Sequence, residues 1–330
     1  MHRVLSGVQP SGDLHLGNYL GALRQWVAAQ DLPDVEAFYC VVDLHALTLD
    51  IDPAALRRQT LEAVRVLLAA GLDPARCTLF VQSHVAEHTR LCWLLESTAT
   101  MGELRRMTQY KDKAEGRDGV RVSLFTYPAL MAADILLYDA DSVPVGEDQR
   151  QHLELARDLA VRFNHLYGPV FTVPDAAVPA AAGRVMDLQH PDRKMSKSAS
   201  SPLGTVGVLD APEEIARKIR RAVTDTDGQV AYDPERKPGI SNLLELLAVA
   251  TGGEAEVLAE RYDRYGPLKD DVADAVVELL RPLRERHAQL AGDDTVVHAA
   301  LRAGADRAAN VASVTYDRAA DAIGLLRLAR

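Results

Sequence analysis

Two lysines three residues apart, Lys194 and Lys197, stand among Met195, Ser196 and Ser198 in the segment DRKMSKS, residues 192–198. Pro191 precedes the segment and Ala-Ser-Ser-Pro-Leu-Gly follows it, so no apolar face is available and a surface loop is predicted. A loop that presents two ammonium groups together suits a polyanion, and the commonest small polyanion is a nucleoside triphosphate. On charge alone a solvated basic linker is the more frequent explanation.

The stretch from Gly7 to Asn18, GVQPSGDLHLGN, is the second candidate. Its glycines let a ligand approach the backbone, and free N–H groups at the start of the following helix favour an anion. Two phosphate loops are excluded. Gly7 and Gly12 have P-loop spacing, but Asp13-Leu14 replaces the required Lys-Ser/Thr, and no G-x-G-x-x-G run is present. Further along, Tyr127, Met131 and Asp134 fall at i, i+4 and i+7, one face of a helix. An aromatic, a thioether and a carboxylate make an apolar slot with one acceptor, although tyrosine and methionine also fill ordinary cores. Gly146-Glu147-Asp148-Gln149 opens a helix, where acidic residues commonly serve the dipole. His45, two residues after Asp43 at a strand end, is a lone histidine of a kind that is more often structural.

These residues need a scaffold, and the chain supplies its pattern. Residues 3–8 predict a strand, and Leu20, Leu23 and Val27 an apolar helical stripe. Residues 36–43 form a near-continuous apolar run, as in a strand buried on both faces. Asp52-Pro53 opens a long helix that Gly71 closes, and 77–82 is a third strand. Strand, helix, strand, helix, strand with short joints predicts an α/β, Rossmann-like, doubly wound parallel sheet, whose sites lie at the carboxyl ends of the strands. Gly7 to Asn18, the stretch after Asp43 and Gln82-Ser83-His84 should therefore share a crevice. Residues 86–121 predict a helical insertion carrying Arg105, Arg106, Lys111, Lys113, Arg117 and Arg121. A long apolar helix is expected after Pro128, then a strand or loop at SVPVG, then a helix from Glu147. The alanine-rich 176–182 reads as a surface connection, and after residue 205 only helices are predicted. The expected division is a catalytic domain, 1–205, and a helical region, 206–330.

Bulk composition narrows the function. The 330 residues are 48% hydrophobic and 25% charged, typical of a globular protein with a sizeable core. A net charge of -10 offers no global field for nucleic acid or an anionic membrane, so RNA contact would need local basic patches. Cys40, Cys77 and Cys92 lie in apolar segments without CxxC spacing, which argues for buried thiols in a reducing compartment. Met1-His2-Arg3 runs directly into Val-Leu-Ser, unlike a signal peptide, and no apolar run has bilayer length. A cytoplasmic protein is expected.

Taken together, His15-Leu16-Gly17-Asn18 and Lys194-Met195-Ser196-Lys197-Ser198 resemble the HIGH and KMSKS signatures of class I aminoacyl-tRNA synthetases, in the right order and fold context. The resemblance runs nearly end to end with the bacterial tryptophanyl enzymes, through LSGVQPSGDLHLGNYLGALRQW, MTQYKDKA, TYPALMAADILLYDADSVPVGEDQRQHLELARDLAVRFN, DRKMSKS and KPGISNLLELL. Asn18, in place of the second histidine of HIGH, is a habit of that family. Leu5 stands where the family carries an aromatic against the indole.

The resemblance implies roles. ATP with Mg2+ is a substrate, no metal is held by the protein, and the other partners are L-tryptophan, tRNA(Trp) and a second subunit of a homodimer. Gln9, Pro10, Ser11, Gly17, Asn18, Gly146, Glu147, Asp148, Val185 and the KMSKS residues would meet ATP, with Val185 and Met186 presenting backbone to adenine. Leu5, Gly7, His45, Tyr127, Met131, Asp134, Val143, Val145 and Gln149 would surround tryptophan, the carboxylate of Asp134 accepting the indole N–H. Lys113, Lys194 and Lys197 would bear on the leaving pyrophosphate. The helical region would read the anticodon, with Arg217, Lys218, Arg220 and Arg221 as its basic patch, and Leu91, Trp93, Leu94 and Leu95 would serve a dimer interface or the monomer's own core. The alternatives are a tyrosyl enzyme, which shares both signatures, and an adenylylating paralogue that no longer charges tRNA.

Overall fold

The computed structural model describes residues 2–10, 12–114, 119–144, 146, 149–177, 185–196 and 201–326, without the side chains of 112–114 and 176–177. β1 (His2–Val8) leads to α1 (Leu16–Asn18), which continues through a π-helical stretch, Tyr19–Leu23, into α2 (Arg24–Ala29). β2 (Val35–Val41), α3 (Asp43–Ala46), α4 (Pro53–Ala70) and β3 (Thr78–Val81) follow. The insertion contains α5 (Glu87–Glu96), α6 (Met101–Arg106) and α7 (Thr108–Ala114), and α8 (Val122–Leu136) comes after it. β4 (Ser142–Pro144), α9 (Arg150–Tyr167) and β5 (Asp175–Ala177) complete the sheet. The chain ends in α10 (Pro212–Arg220), α11 (Pro238–Thr251), α12 (Ala255–Ala259), α13 (Tyr265–Ala291) and α14 (Asp294–Ala322).

The five strands pair in parallel in the order β3-β2-β1-β4-β5, so the strand order reverses between β1 and β4. Alternate side chains of the central strands enter two different cores. Ala37, Tyr39 and Val41 of β2 join one with Val64 and Leu67 of α4, whereas Phe38 and Cys40 join the other with Ala132, Ala133 and Leu136 of α8. The first core runs on without a break into Ile215, Ile219, Leu243, Leu244, Leu268 and Val272 of the helical region.

Local chemistry explains most boundaries. The Asp52 side chain accepts from the Ala55 N–H at 2.8 Å, Pro53 follows at the first helical position, and Gly71 closes α4 with φ 116°. Pro128 departs from expectation: α8 starts at Val122 and Pro128 lies inside it. The ring removes the donor that would serve the Leu124 carbonyl, yet Ala129, Ala132, Ala133 and Leu136 are buried and hold the helix against α5 and α9. The helix expected from Glu147 starts at Arg150 with Gln149 as its N-cap residue. At the start of the alanine-rich stretch, Asp175–Ala177 forms the fifth strand rather than a connection, and 178–184 lie outside the described residues.

α14 lies along the β3 edge of the sheet. The Arg307 guanidinium donates to the carbonyls of Pro74, at 2.6 Å, and Cys77, at 3.0 Å. At Gly304 a Cβ would lie 1.8 Å from the Leu79 carbonyl oxygen, so only glycine permits this approach. No helix among the described residues is long and apolar enough to cross a membrane. Gly304→Ala should push α14 off β3 and lower the unfolding free energy by about 1–3 kcal/mol, read as a lower urea midpoint.

Candidate active site

A cavity of about 390 Å³ opens at the carboxyl ends of β1, β2 and β4, where the strand order reverses. Leu5, Gly7, Gln9, His45, Tyr127, Met131, Asp134, Val143, Gly146 and Gln149, all singled out from the sequence, line this one space. Gly7 is needed for close packing, because a Cβ there would come within 3.0 Å of the Val42 side chain. Tyr127, Met131 and Asp134 share the cavity face of α8, as their spacing predicts.

Asp134 is the polar centre and is 5% exposed. Gln82 Nε2 donates to its Oδ1 at 2.7 Å, His88 Nδ1 lies 2.6 Å from the same oxygen, and His45 Nε2 lies 2.8 Å from Oδ2. Since a carboxylate only accepts, His88 donates from Nδ1, and its Nε2 accepts from the Tyr138 hydroxyl at 2.8 Å. Gln82 is itself oriented, its Oε1 accepting from the Leu44 N–H at 3.1 Å. Burial opposes ionisation of Asp134, but the hydrogen bonds from His45 and His88 outweigh it and bring the carboxyl down to about 2. Tyr127 is pushed up to about 12 by burial, so it stays a neutral phenol, 2.7 Å from His152 Nε2.

A second cluster of the residues singled out from the sequence follows β1 in the chain. His15 caps α1 reciprocally: its Nδ1 accepts from the Asn18 N–H at 3.3 Å, and Asn18 Oδ1 accepts from the His15 N–H at 3.2 Å. The Leu16 N–H donates to Val206, at 2.8 Å, and the Val208 N–H to Leu14, at 3.0 Å, tying this turn to the segment after the lysine loop. In that loop Lys194 bridges to Met186, flanked by bonds from the Asp187 N–H to Arg193 and from the Met195 N–H to Val185. Lys194 and Ser196 are exposed, whereas Met195 is 1% exposed in the core, beside the space a Cβ on Gly17 would fill. The Ser196 carbonyl accepts from the Thr205 hydroxyl at 3.1 Å. Pro10 and Val185 are buried. Ser11, Val145, Glu147, Asp148, Lys197, Ser198 and the side chain of Lys113 lie outside the described residues.

Two expectations change. Leu91, Leu94 and Leu95 belong to the chain's own core, and of that group only Trp93, 69% exposed, faces outward. The α10 patch is largely neutralised. Lys218 is buried, 2.6 Å from Asp210, while Arg217 and Arg220 bond to Glu214 and Asp270. Residues that local reasoning missed include His88, Tyr138, Gln109 and His152. Gln82 alone was foreshadowed, by its place at a strand end.

The fold and the two linked signature segments agree with the comparison of families: the model of "tRNA synthetases class I (W and Y)" matches residues 1–281, and the chain belongs to that family. It is 58% identical to tryptophan–tRNA ligase 1 of Streptomyces coelicolor, covering 99% of this chain and 98% of that one, and 53% identical to the tryptophan–tRNA ligase of Mycobacterium leprae, covering 98% and 96%. Among solved structures, tryptophanyl-tRNA synthetase from Mycoplasma pneumoniae superposes with a TM-score of 0.90 at 36% identity, over 99% of this chain and 98% of that one. The Campylobacter jejuni enzyme complexed with ADP and tryptophan gives 0.85 at 35%, over 98% and 100%. A tyrosyl-tRNA synthetase from Archaeoglobus fulgidus, 24% identical over 87% of this chain and 90% of that one with a TM-score of 0.67, shares the fold.

Because the folded Asp134 titrates below its ordinary 3.8, the network adds stability above about pH 4 and loses it as pH falls towards about 2. Asp134→Asn should cost on the order of 2 kcal/mol at neutral pH, and that deficit should shrink towards zero by about pH 2 in urea unfolding.

Proposed function

We propose that the chain is a tryptophan–tRNA ligase, which joins L-tryptophan to ATP as tryptophanyl-adenylate and then passes the acyl group to the terminal ribose of tRNA(Trp). The observation that carries the reading is the buried Asp134 carboxylate in a cavity whose walls include Leu5, Met131, Ile135 and Val143. A carboxylate has about four acceptor directions; Gln82, His88 and His45 occupy three. One remains for the single N–H of an indole. A site built around such a bond rejects an analogue lacking the donor, in favourable cases by about 10⁴–10⁵. The full-length relatives favour tryptophan over tyrosine.

In the activation step the tryptophan carboxylate attacks the α-phosphorus of ATP and pyrophosphate leaves; positioning and charge stabilisation supply the catalysis. Mg2+ arrives with the nucleotide. Gln9, Ser11, Gly17 and Asn18 hold its adenosine and α-phosphate end, Gly146 and Asp148 the ribose, and Val185 and Met186 the adenine. Gln149 takes the tryptophan amino group. Lys113, Lys194 and Lys197 bear on the pyrophosphate as its charge grows. The helical region after 205 meets the anticodon, and the reaction takes place in the cytoplasm. A second copy of the chain covers the groove of about 240 Å³ lined by Leu44, Leu47, Trp93 and Leu130, where Trp93 and Leu47 are 69% and 42% exposed.

Tryptophan-dependent exchange of pyrophosphate into ATP, followed by charging of tRNA, tests the reading. Exchange driven by tyrosine would overturn the amino-acid assignment, and exchange without charging would support the paralogue. Lys197→Ala should lower the activation rate about 10²–10³-fold while leaving tryptophan binding nearly unchanged; comparable losses in both would remove its role. Trp93→Glu should convert a dimer to a monomer in light scattering at micromolar concentration.

A further inference from the structure

α11 carries two buried polar side chains in succession, Ser241 and Asn242, 2% and 3% exposed. They have different partners. The Ser241 hydroxyl accepts from the Asp233 N–H at 3.0 Å, within the helical region. The Asn242 amide reaches back across 56 residues and holds both sides of one residue's backbone: its Oδ1 accepts from the Met186 N–H at 3.0 Å, and its Nδ2 donates to the Met186 carbonyl at 3.1 Å. Met186 is also the residue bridged to Lys194, between the Met195-to-Val185 and Asp187-to-Arg193 backbone bonds. One side chain therefore fixes the segment that forms the stem of the lysine loop.

We propose that Asn242 is a positioning residue for the nucleotide: through Met186 it sets the adenine-facing backbone and the stem that carries Lys194. The proposal rests on the reading above that Val185 and Met186 present their backbone to adenine. A primary amide suits the task because it offers a donor and an acceptor side by side, matching the acceptor and donor of one residue's backbone. An apolar replacement leaves two partly buried backbone groups without this partner, and the segment must shift to regain one. The cavity around Asp134 uses none of these atoms, so tryptophan should not sense the change.

Equilibrium dialysis with labelled ATP and, separately, labelled tryptophan tests this on the full chain. Asn242→Leu keeps the volume and removes both bonds; Asn242→Asp keeps the outline but sets an oxygen against the Met186 carbonyl. Each should raise the ATP Kd by about tenfold or more with the tryptophan Kd within about twofold of the parent. Ser241→Ala, which removes a buried bond one residue away, should leave both constants unchanged. Equal weakening of the two ligands, an unchanged ATP Kd, or an effect of Ser241→Ala as large as that of Asn242→Leu would overturn the proposal. If Asn242→Leu does not fold, Asn242→Asp decides between the same outcomes. A parent protein that binds ATP but supports no tryptophan-dependent exchange would overturn the functional reading, and the ATP comparison would still decide the role of Asn242.

Discussion

A parallel sheet has two apolar faces, and because its strands are joined by crossovers, helices must cover both. That requirement governs the whole chain. α2 and α4 cover the face reached by Tyr39 and Val41, with α13 packed on α4 and α11 on α13; α5, α8, α9 and α14 cover the face reached by Phe38 and Phe80. With both faces occupied, the open ground is at the strand ends, and between β1 and β4 the connections diverge to leave a crevice. The cavity lined by Asp134 lies at that crevice. The helices after residue 205 are part of that cover, since Ile215, Leu243 and Val272 share a core with the strands.

Within the crevice a charged group is held among apolar walls. An isolated carboxylate in such surroundings would take up a proton. Asp134 remains ionised because its partners are themselves held: Gln82 by the backbone at Leu44, His88 by Tyr138. The acceptor therefore has a fixed direction as well as a fixed charge, which is the property a selective pocket needs. The two signature segments are built differently. There the ties are mostly between backbone segments, Leu14–Leu16 to Val206–Val208 and Val185–Asp187 to Arg193–Met195. Side-chain bonds fix the cavity's acceptor, and backbone bonds fix the two loop segments.

The strands and their order along the chain were legible because burial on both faces leaves a continuous apolar run, as in residues 36–43, and because Asp52-Pro53 and Gly71 mark α4 chemically. That Tyr127, Met131 and Asp134 share one face of α8 was legible from helical spacing; that this face lines a cavity followed only from the family resemblance. Pro128 misled because the rule that places proline in a first turn treats a helix as isolated, whereas α8 is held by its buried alanines. β5 was missed because three residues carry too little pattern to register. His88 and Tyr138 were invisible for a deeper reason: their bonds span 46 and 50 residues, and no local rule describes a partner that far away. Asn242 is the same case at 56 residues.

The placement of α14 carries a consequence in time. β3 ends at Val81, but the Gly304–Leu79 approach and the Arg307 bond to Cys77, 230 residues apart in sequence, are made by a helix near the chain's end. Such distant closure is slow to form, because loop entropy is spent before the contact is gained. During synthesis the β3 edge therefore stays uncovered until α14, 230 residues further on, has been made, an interval in which another strand could pair with it. α14 thus closes the β3 edge late as well as walling the core.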